Sequence, residues 1–515
     1  MNQVILPKLV AAVDLGSNSF HCLIGRVEQS PLGYQIYPLD GLKEVVRLAG
    51  GLNEEKRLDA ASQTRAILAL QRFGERLRSF SPDRVRVVAT NTLRVAKNSQ
   101  DFLLTAEAAL GFPIEVIAGR EEARLIFKGV AHCLPRDQRR RLIIDVGGGS
   151  TEFVIGVNTE PEVMESVYVG CVQVSRDFFP GGEITHEGFR GAILSAREEI
   201  EVIREAFMSA GWEDVVGSSG TAKAISEVLT ANGLTEHGIT RAGLEHLRSL
   251  LIRAGRAENA NLIGLRQDRI PVFAGGVAIM SALFEELELK SMTYGEGALR
   301  LGVLYDLLGR SQDEDMRKIS VEQAMDRYGV DAGHARRIGE LALKLWQGID
   351  LGADEERQAC ADQLLWAACL HEIGLSISHN GFHKHSAYIV LNADLPGFSK
   401  PEQAAVATLV LGQQGKLSRV QSDLPTLTRQ ALLMSLRLAC LFWRRRTGVS
   451  LPDVQLQRQG GGFRLSVPKE WLAQHPLTEY SLSQERHEWS KLGIDLQLHA
   501  VQEDEVVRRR SSAGA

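Results

Sequence analysis

A β-strand that ends in aspartate, a turn of small residues and a returning strand occur together twice in this chain. The first copy is LVAAVDLGSNSFHCLIGRV, with Asp14 at the strand end, and the second is RLIIDVGGGSTEFVIGV, with Asp145 in the same place. The two aspartates are 131 positions apart, which is the length of a domain. Helical patterns such as Ala60–Phe80 alternate with strand patterns between the copies. We therefore expect two α/β domains that face each other across a cleft.

The rest of the chain changes character near residue 311, where the strand patterns stop. Residues 320–445 are helical in pattern, and the alternation in VQLQRQGGGFRLSV after Pro452 predicts a β-hairpin. A length of 515 residues suits three or four domains. We predict α/β domains over residues 1–125 and 126–310, an all-α domain over 311–446, and a small α+β module over 447–515 with a disordered tail.

Net charge argues against a polyanionic partner, but the charge is unevenly distributed. The formal charge of the chain is −5. Residues 1–140 nevertheless contain 20 Lys and Arg against 15 Asp and Glu, and residues 401–450 contain seven against two. Folding can assemble these stretches into one basic surface, although two separate solvated faces are the simpler interpretation.

Cysteine usage and hydropathy indicate the compartment. The six cysteines include no C-x-x-C pair and lie mostly in apolar runs, which is typical of reduced thiols in a cytoplasmic protein. The longest uncharged run, Ile270–Phe284, has 15 residues, and a membrane-spanning helix needs roughly 18–20. The N-terminus shows no charged leader before a long apolar stretch. We expect a cytoplasmic protein without a membrane anchor, and a buried helix at this run.

The turns after the two aspartates have the composition of phosphate-binding loops. Glycine allows a tight turn with exposed backbone N–H groups, serine and threonine add hydroxyl donors, and an aspartate at the strand end can hold Mg²⁺. A single turn of this kind is weak evidence, but two copies and a third turn, GSSGT, are more specific. The predicted phosphate contacts in these turns are Ser17, Asn18, Ser19, Gly147, Gly148, Gly149, Ser150, Thr151, Gly220 and Thr221, with Lys223 as a weaker candidate.

Together these motifs resemble the exopolyphosphatase/guanosine pentaphosphate phosphatase family of the actin/Hsp70/sugar-kinase superfamily. The segments that carry the resemblance are DLGSNSFH at 14–21, ATNTLRVAKN at 89–98, GREEARLIF at 119–127, IDVGGGSTE at 144–152, GEGALRLG at 295–302 and the stretch over residues 370–399. The resemblance implies two actin-like (ribonuclease H-like) domains, a helical domain similar to the HD phosphohydrolases and a small C-terminal module. It also implies removal of terminal phosphate from an anionic chain, and a homodimer.

Several acids and one arginine are the expected catalytic groups. Glu121 and Glu122 alone read as helix N-terminal acids, but the family resemblance implies that one of them, best matched by Glu122, is the catalytic base. Asp145 and Glu152 are seven residues apart across the glycine turn, where they can face each other. We expect Asp14, Asp145 and Glu152 to bind the metal, with Asp145 and Glu152 also acting in catalysis. Arg94 is a predicted phosphate ligand, and His21 is expected in the core.

The helical segment contains an incomplete HD pattern. His334 resembles its first histidine, and in LHEIG His371 is followed by Glu372 where the pattern has aspartate. With the later histidines these groups can ligate a divalent metal, but core hydrogen bonds or contacts with a phosphate chain are equally consistent alternatives. The later histidines are His379, His383 and His385, and the predicted polyphosphate path comprises His383, Lys384, His385, Arg444, Arg445 and Arg446.

The resulting prediction is an exopolyphosphatase, a phosphoric anhydride hydrolase that removes terminal phosphate processively with Mg²⁺, and with K⁺ as a further candidate cation. The turn GGGST and the segment SHNGFHKHSAY favour inorganic polyphosphate over guanosine pentaphosphate, the main alternative substrate, and both activities can coexist. An actin-fold kinase and a non-catalytic polyphosphate sensor are weaker alternatives. We expect no specific nucleic-acid partner.

Overall fold

The two aspartate-ended strands predicted from the repeat lie inside two separate β-sheets in the computed structural model of this chain. The structure describes residues 8–30, 33–135, 138–310, 315–351, 357–393, 395–446 and 451–502. The chain separates into two compact units, Met1–Asp315 and Met316–Ala515. The predicted disordered tail lies outside the described residues.

The first sheet has five strands in the order β3-β2-β1-β4-β5. β1 pairs antiparallel with β2 and parallel with β4, and Asp14 lies opposite His21 in this register. The strand predicted over 113–119 is reduced to two residues. The elements are β1 (Leu9–Leu15), β2 (Ser19–Ser30), β3 (Gly33–Val45), α1 (Ala60–Leu77), β4 (Val85–Ala89), α2 (Asn91–Val95), α3 (Ser99–Leu110), β5 (Glu115–Val116) and α4 (Gly119–Ala131).

The second sheet has six strands, and its centre repeats the arrangement of the first. β6 pairs antiparallel with β7 and parallel with β9, which sets Asp145 opposite Glu152 on one side and Ser218 on the other. The elements are β6 (Arg140–Val146), β7 (Thr151–Val157), β8 (Glu160–Val167), α5 (Cys171–Phe178), α6 (His186–Ala210), β9 (Asp214–Ser218), α7 (Ser219–Ala231), β10 (Ile239–Thr240), α8 (Arg241–Ala254), α9 (Ile270–Glu286), β11 (Ser291–Tyr294) and α10 (Leu299–Arg310). The strand order is β10-β11-β9-β6-β7-β8, so each aspartate-ended strand starts two successive hairpins and gains a parallel neighbour.

Helices α4 and α10 join the two sheets through a common core. Apolar residues of both sheets, including Val10 and Ile143, pack with these helices. The helices cross where glycines permit backbone contact: a Cβ on Gly129 would lie 2.3 Å from the Ala298 carbonyl oxygen, and one on Gly302 would lie 1.7 Å from the Leu125 carbonyl oxygen. The boundary predicted between residues 125 and 126 falls inside α4. The domain limits stay predictions.

The second unit contains a helical array and a three-stranded sheet in the order β12-β13-β14. One hydrophobic core extends from the helices into this sheet, so the two parts pack as one body. The elements are α11 (Met316–Tyr328), α12 (Ala332–Gln347), α13 (Arg357–Leu370), α14 (Phe382–Asn392), α15 (Lys400–Gly412), α16 (Leu427–Phe442), β12 (Gln455–Gln459), β13 (Gly462–Pro468), α17 (Lys469–Gln474), α18 (Pro476–Ser490) and β14 (Leu496–Val501). The predicted helical stretch and the hairpin are confirmed.

The apolar run at 270–284 is the buried helix α9, as the sequence predicts. Its residues from Phe273 to Phe284 are buried against the second sheet and its helices. Within the described ranges, no helix combines the length and hydropathy that a bilayer crossing needs.

Candidate active site

Four acids from the two sheets and the connecting helix line one cavity of about 890 Å³ in the first unit. Asp14 and Asp145 are the second-last residues of β1 and β6. Glu152 is the second residue of β7, and Glu122 lies in the first turn of α4. All four are at most 9% exposed. The sequence places these acids up to 138 positions apart, and the repeat with its crossing helix brings them together.

Burial of these acids raises their pKa values towards neutrality. Burial raises the pKa of Glu122 to about 7, an effect that Arg94 opposes and that Asp14 reinforces. Burial also raises the pKa of Asp14 to about 6 and the pKa of Asp145 to about 6. The pKa of Glu152 lies well above its ordinary value because it is buried close to other acids. Without a compensating cation, the ionised cluster is therefore costly in this cavity.

The donor set fits a hard divalent cation. Asp14 Oδ1 is buried without a hydrogen-bond partner, and the acids that share the cavity offer only oxygen atoms. Asp145 Oδ2 accepts a hydrogen bond of 2.5 Å from Ser218, and Glu152 Oε1 accepts one of 2.9 Å from Ser166. These bonds fix two of the carboxylates and leave each with a second oxygen.

Geometry separates Glu121 from Glu122, which the sequence leaves ambiguous. Both oxygens of Glu121 accept hydrogen bonds of 2.8 Å from Arg124. Arg124 also bonds Asp306 of α10 at 2.6 Å, and Asp306 in turn bonds Arg86 of β4 at 2.7 Å. Glu121 thus belongs to a buried ionic network between α4, α10 and β4. Of the two neighbours, it is Glu122 that lies on the cavity wall.

Arg94 lies beside Glu122 at the edge of the site. Its Nη1 is 3.3 Å from Glu122 Oε2 and 2.8 Å from the Ile117 carbonyl oxygen. Its Nε is buried and has no hydrogen-bond partner. A guanidinium in this position can hold Glu122 in place and contact an anion beside it.

The two predicted phosphate turns lie against each other. A Cβ on Gly148 would lie 3.2 Å from the Ser17 Cβ, so a larger residue would press on the first turn. Asn91 donates to the Gly149 carbonyl oxygen, and Thr92 donates to Ser17 Oγ at 2.7 Å. The two turns of the repeat thus meet directly, with α2 bridging them. The predicted residues of these turns that line the cavity are Ser17, Asn18, Ser19, Gly147, Gly148, Gly149 and Ser150.

Thr151 differs from its neighbours in the second turn. It is fully buried, and its hydroxyl donates to the Val169 carbonyl oxygen at 2.6 Å. Its side chain therefore stabilises the turn from the protein interior.

The third turn, at the junction of β9 and α7, completes one wall. Gly220 and Thr221 line the cavity, as does Lys223. The Arg269 guanidinium lies directly over Gly220, where an added Cβ would be 1.9 Å from its Nη2. A larger residue at position 220 would therefore displace the end of the Arg269 side chain.

Basic residues without a predicted role surround the acids. Arg300, Arg269 and Arg266 line the cavity, and Arg300 Nη1 is 3.7 Å from Asp14 Oδ2. Arg300 lies within the GEGALRLG motif, which is a signal that sequence reasoning can use, whereas the segment around Arg269 has no distinctive pattern. His21 also lines the cavity instead of the core where it was expected; burial and nearby cations, Arg300 first among them, keep its pKa well below the usual range.

The second unit holds the groups of the incomplete HD pattern. His334, His371 and Glu372 have ligand atoms within 4.8 Å of one another. Arg446, a predicted path residue, contacts Glu372 through Nη2 at 2.7 and 2.8 Å from the two carboxylate oxygens. The cluster of the described residues that can hold a metal contains neither His379 nor His385.

The remaining predicted path residues differ in exposure. His383 is buried, and its ring nitrogens lie 3.0 Å from Gln414 Nε2 and 2.9 Å from Arg419 Nη1. Lys384, Arg444 and Arg445 are exposed, and His385 is half-buried. His383 is thus engaged internally, and the other four are accessible to an anion.

The fold is mixed α/β, and the two aspartate-bearing strands contribute acids to one cavity. The chain belongs to the Ppx/GppA phosphatase family. The model of that family matches residues 26–311, and the model of its domain III matches residues 316–486. The mixed α/β class is thereby confirmed, and the family resemblance with it.

Solved structures agree with this assignment. An exopolyphosphatase-like protein is 25% identical with a TM-score of 0.53, and the match covers 59% of this chain and all of that chain. An exopolyphosphatase from Cytophaga hutchinsonii is 22% identical with a TM-score of 0.52, and it matches over 58% of this chain and 97% of its own. The second similarity concerns the fold alone.

Proposed function

We propose that this chain is an exopolyphosphatase that hydrolyses the terminal phosphoanhydride bond of inorganic polyphosphate and releases orthophosphate. The observation that carries the proposal is Glu122, a buried carboxyl on the cavity wall with a pKa of about 7, next to Arg94 and close to Asp14 and Asp145. A base of this pKa accepts a proton efficiently near neutral pH.

The chain's own groups can perform the reaction. The turns of the repeat line the cavity and bind the terminal phosphoryl oxygens, as does Arg300. Arg94, which is not among the lining residues, assists from beside Glu122. Glu122 orients a water molecule and takes its proton as the water oxygen attacks phosphorus. The anhydride P–O bond breaks, and its electron pair leaves with the shortened chain.

Asp14, Asp145 and Glu152 would hold Mg²⁺, which would neutralise charge on the phosphoryl oxygens. The unpartnered Asp14 oxygen and the raised pKa values of the acids support this assignment. A second cation, K⁺, and a homodimer stay predictions, as does a cytoplasmic location.

Inorganic polyphosphate is the favoured substrate because cationic side chains line the cavity in addition to the four acids. Arg300, Arg269, Arg266 and Lys223 line the same cavity and can hold successive phosphates, which would support processive cleavage. We also assign the two sheets to the actin-like (ribonuclease H-like) class because their central strands have the same pairing. In that class two loops from opposed domains hold a phosphate chain.

Guanosine pentaphosphate is the second candidate substrate. His132 and Tyr305 stack in the cavity wall with ring centroids 3.5 Å apart, which offers a flat surface suited to a nucleobase. A kinase or a non-catalytic sensor gains no comparable support from the four buried acids.

The test is a side-by-side measurement of phosphate release from long-chain polyphosphate and from guanosine pentaphosphate, each with Mg²⁺. We expect faster release from polyphosphate, measured as kcat/KM. Preference for the nucleotide would replace the first candidate with the second. No release from either substrate would overturn the assignment as a hydrolase.

A further inference from the structure

The cluster His334, His371 and Glu372 in the second unit combines metal-binding donors with a neighbouring cationic side chain, that of Arg446. His371 Nδ1 lies 2.7 Å from the Ala368 carbonyl oxygen, so it carries the proton and Nε2 keeps its lone pair. Both histidines are buried, and His334 Nδ1 has no hydrogen-bond partner. Two imidazoles and one carboxylate are a donor set known from zinc sites.

The carboxylate of this set is already engaged. Arg446 Nη2 lies 2.7 and 2.8 Å from the two oxygens of Glu372. The same guanidinium has its Nη1 3.9 Å from Asp331 Oδ2, and so lies between two acids beside His334. A dication bound to Glu372 would lie within a few ångströms of the Arg446 guanidinium, whose side chain is 42% exposed, and the charges would repel. The residues present therefore do not fit a metal while Arg446 is in place.

The backbone of Arg446 indicates that this contact is built into the fold. Its φ is +63°, a left-handed conformation that a non-glycine residue adopts at a cost. Helix α16 ends at Phe442, and the Arg446 N–H donates to the Trp443 carbonyl oxygen at 2.8 Å, so Arg446 closes a turn after the helix. From this turn its side chain reaches the Glu372 carboxylate.

We propose that Arg446 replaces a divalent cation at this cluster, so that the native protein holds no metal there. The guanidinium supplies the positive charge that the HD-like pattern takes from a metal ion. It also ties the turn after α16 to Glu372, the second residue after α13. Removing the guanidinium would open a site of two histidines and one carboxylate for a transition metal.

The experiment titrates the metal-free full-length protein with Co²⁺ and follows its visible d–d absorption. The wild type is compared with Arg446→Met, and each is paired with a variant that also carries His371→Ala. The carboxylates of the first unit are the same in every pair, so their contribution cancels. Arg445→Met, which removes an exposed neighbouring charge, is the matched control.

We expect absorption that depends on His371 in Arg446→Met and none in the wild type or in Arg445→Met. Arg446→Gly should behave like Arg446→Met, and since glycine relieves the positive φ, it tests the proposal even where the methionine variant does not fold. Equal His371-dependent absorption in the wild type would overturn the proposal. So would its absence from both Arg446 variants.

Discussion

At the scale of single residues, the site is defined by which carboxylates have a compensating charge. The Glu121 carboxylate is paired with Arg124. The Glu122 carboxylate contacts Arg94 and also faces the open cavity. The adjacent sequence positions therefore differ in role because helix α4 directs one towards a buried network and the other towards the cavity. The sequence identifies the pair but cannot separate its members, since the partners Arg124 and Asp306 are matched only in the folded chain.

Replacement of Arg94 should change the pH dependence of the reaction. Arg94 lowers the pKa of Glu122, so Arg94→Ala should raise it by roughly 1 unit and move the acid limb of kcat/KM to higher pH. The exposed Arg78→Ala serves as control and should leave the limb unchanged. A limb that stays in place or moves to lower pH in Arg94→Ala would show that the limb does not report on Glu122.

Added Mg²⁺ should move the acid limb of kcat/KM in the direction opposite to that expected for Arg94→Ala. The folded-state pKa values of Asp14 and Asp145 are about 6, above the ordinary value for aspartate, so stability from these groups is full at low pH. It is lost as pH rises from the unfolded pKa through about 6.

We therefore expect Mg²⁺ to raise the melting temperature more at pH 8 than at pH 5, and to move the acid limb of kcat/KM to lower pH. Differential scanning calorimetry at both pH values measures the first effect. An equal shift at both pH values would argue against ion binding at these acids.

At the scale of elements, the sequence predicts the repeat but does not predict where helices α4 and α10 cross. Asp14 and Asp145 predict both hairpins, and the register opposite Asp145 places Glu152 as expected. β5 is shorter than its pattern indicates because only Glu115 and Val116 find a partner on β4. Arg269 reaches the cavity from a segment without a distinctive pattern, so its proximity to Gly220 follows from tertiary packing alone.

Gly302→Ala should destabilise the first unit by disturbing the crossing of α4 and α10. The new Cβ would lie 1.7 Å from the Leu125 carbonyl oxygen, so the backbones must separate. We expect a loss of about 1–3 kcal/mol in the free energy of unfolding, measured by urea denaturation. Gly50→Ala, where a Cβ meets nothing within 4 Å, is the control. Equal stability of the two variants would contradict the close crossing.

At the scale of the whole molecule, the structure describes two units, and the proposed catalytic groups belong to the first. The lobes of this unit are joined near the cavity by an ion pair between Lys43 of β3 and Asp268, which precedes α9; their charged atoms are 2.8 Å apart. Asp268 lies between Arg266 and Arg269, which line the cavity. The pair therefore connects the first sheet to a basic segment of the cavity wall.

Loss of this ion pair should weaken substrate retention more than turnover. A partly exposed pair is worth about 0.2–1 kcal/mol, so Lys43→Ala should raise KM for polyphosphate by up to about fivefold with little change in kcat. Asp268→Ala should have the same effect, and the double variant should be no worse than either single one. High salt should remove the difference from the wild type. Strictly additive effects would show that the two residues act separately.

The most direct test of the account is the phosphate release rate of Glu122→Gln compared with Glu121→Gln, under saturating polyphosphate and Mg²⁺. Both variants replace one carboxylate by its amide on the same helix turn. We predict that Glu122→Gln lowers turnover by roughly 10²–10⁴-fold at an unchanged melting temperature, since it removes the base. Glu121→Gln should mainly lower the melting temperature, because it disrupts the network with Arg124. Wild-type turnover in Glu122→Gln would contradict the central claim.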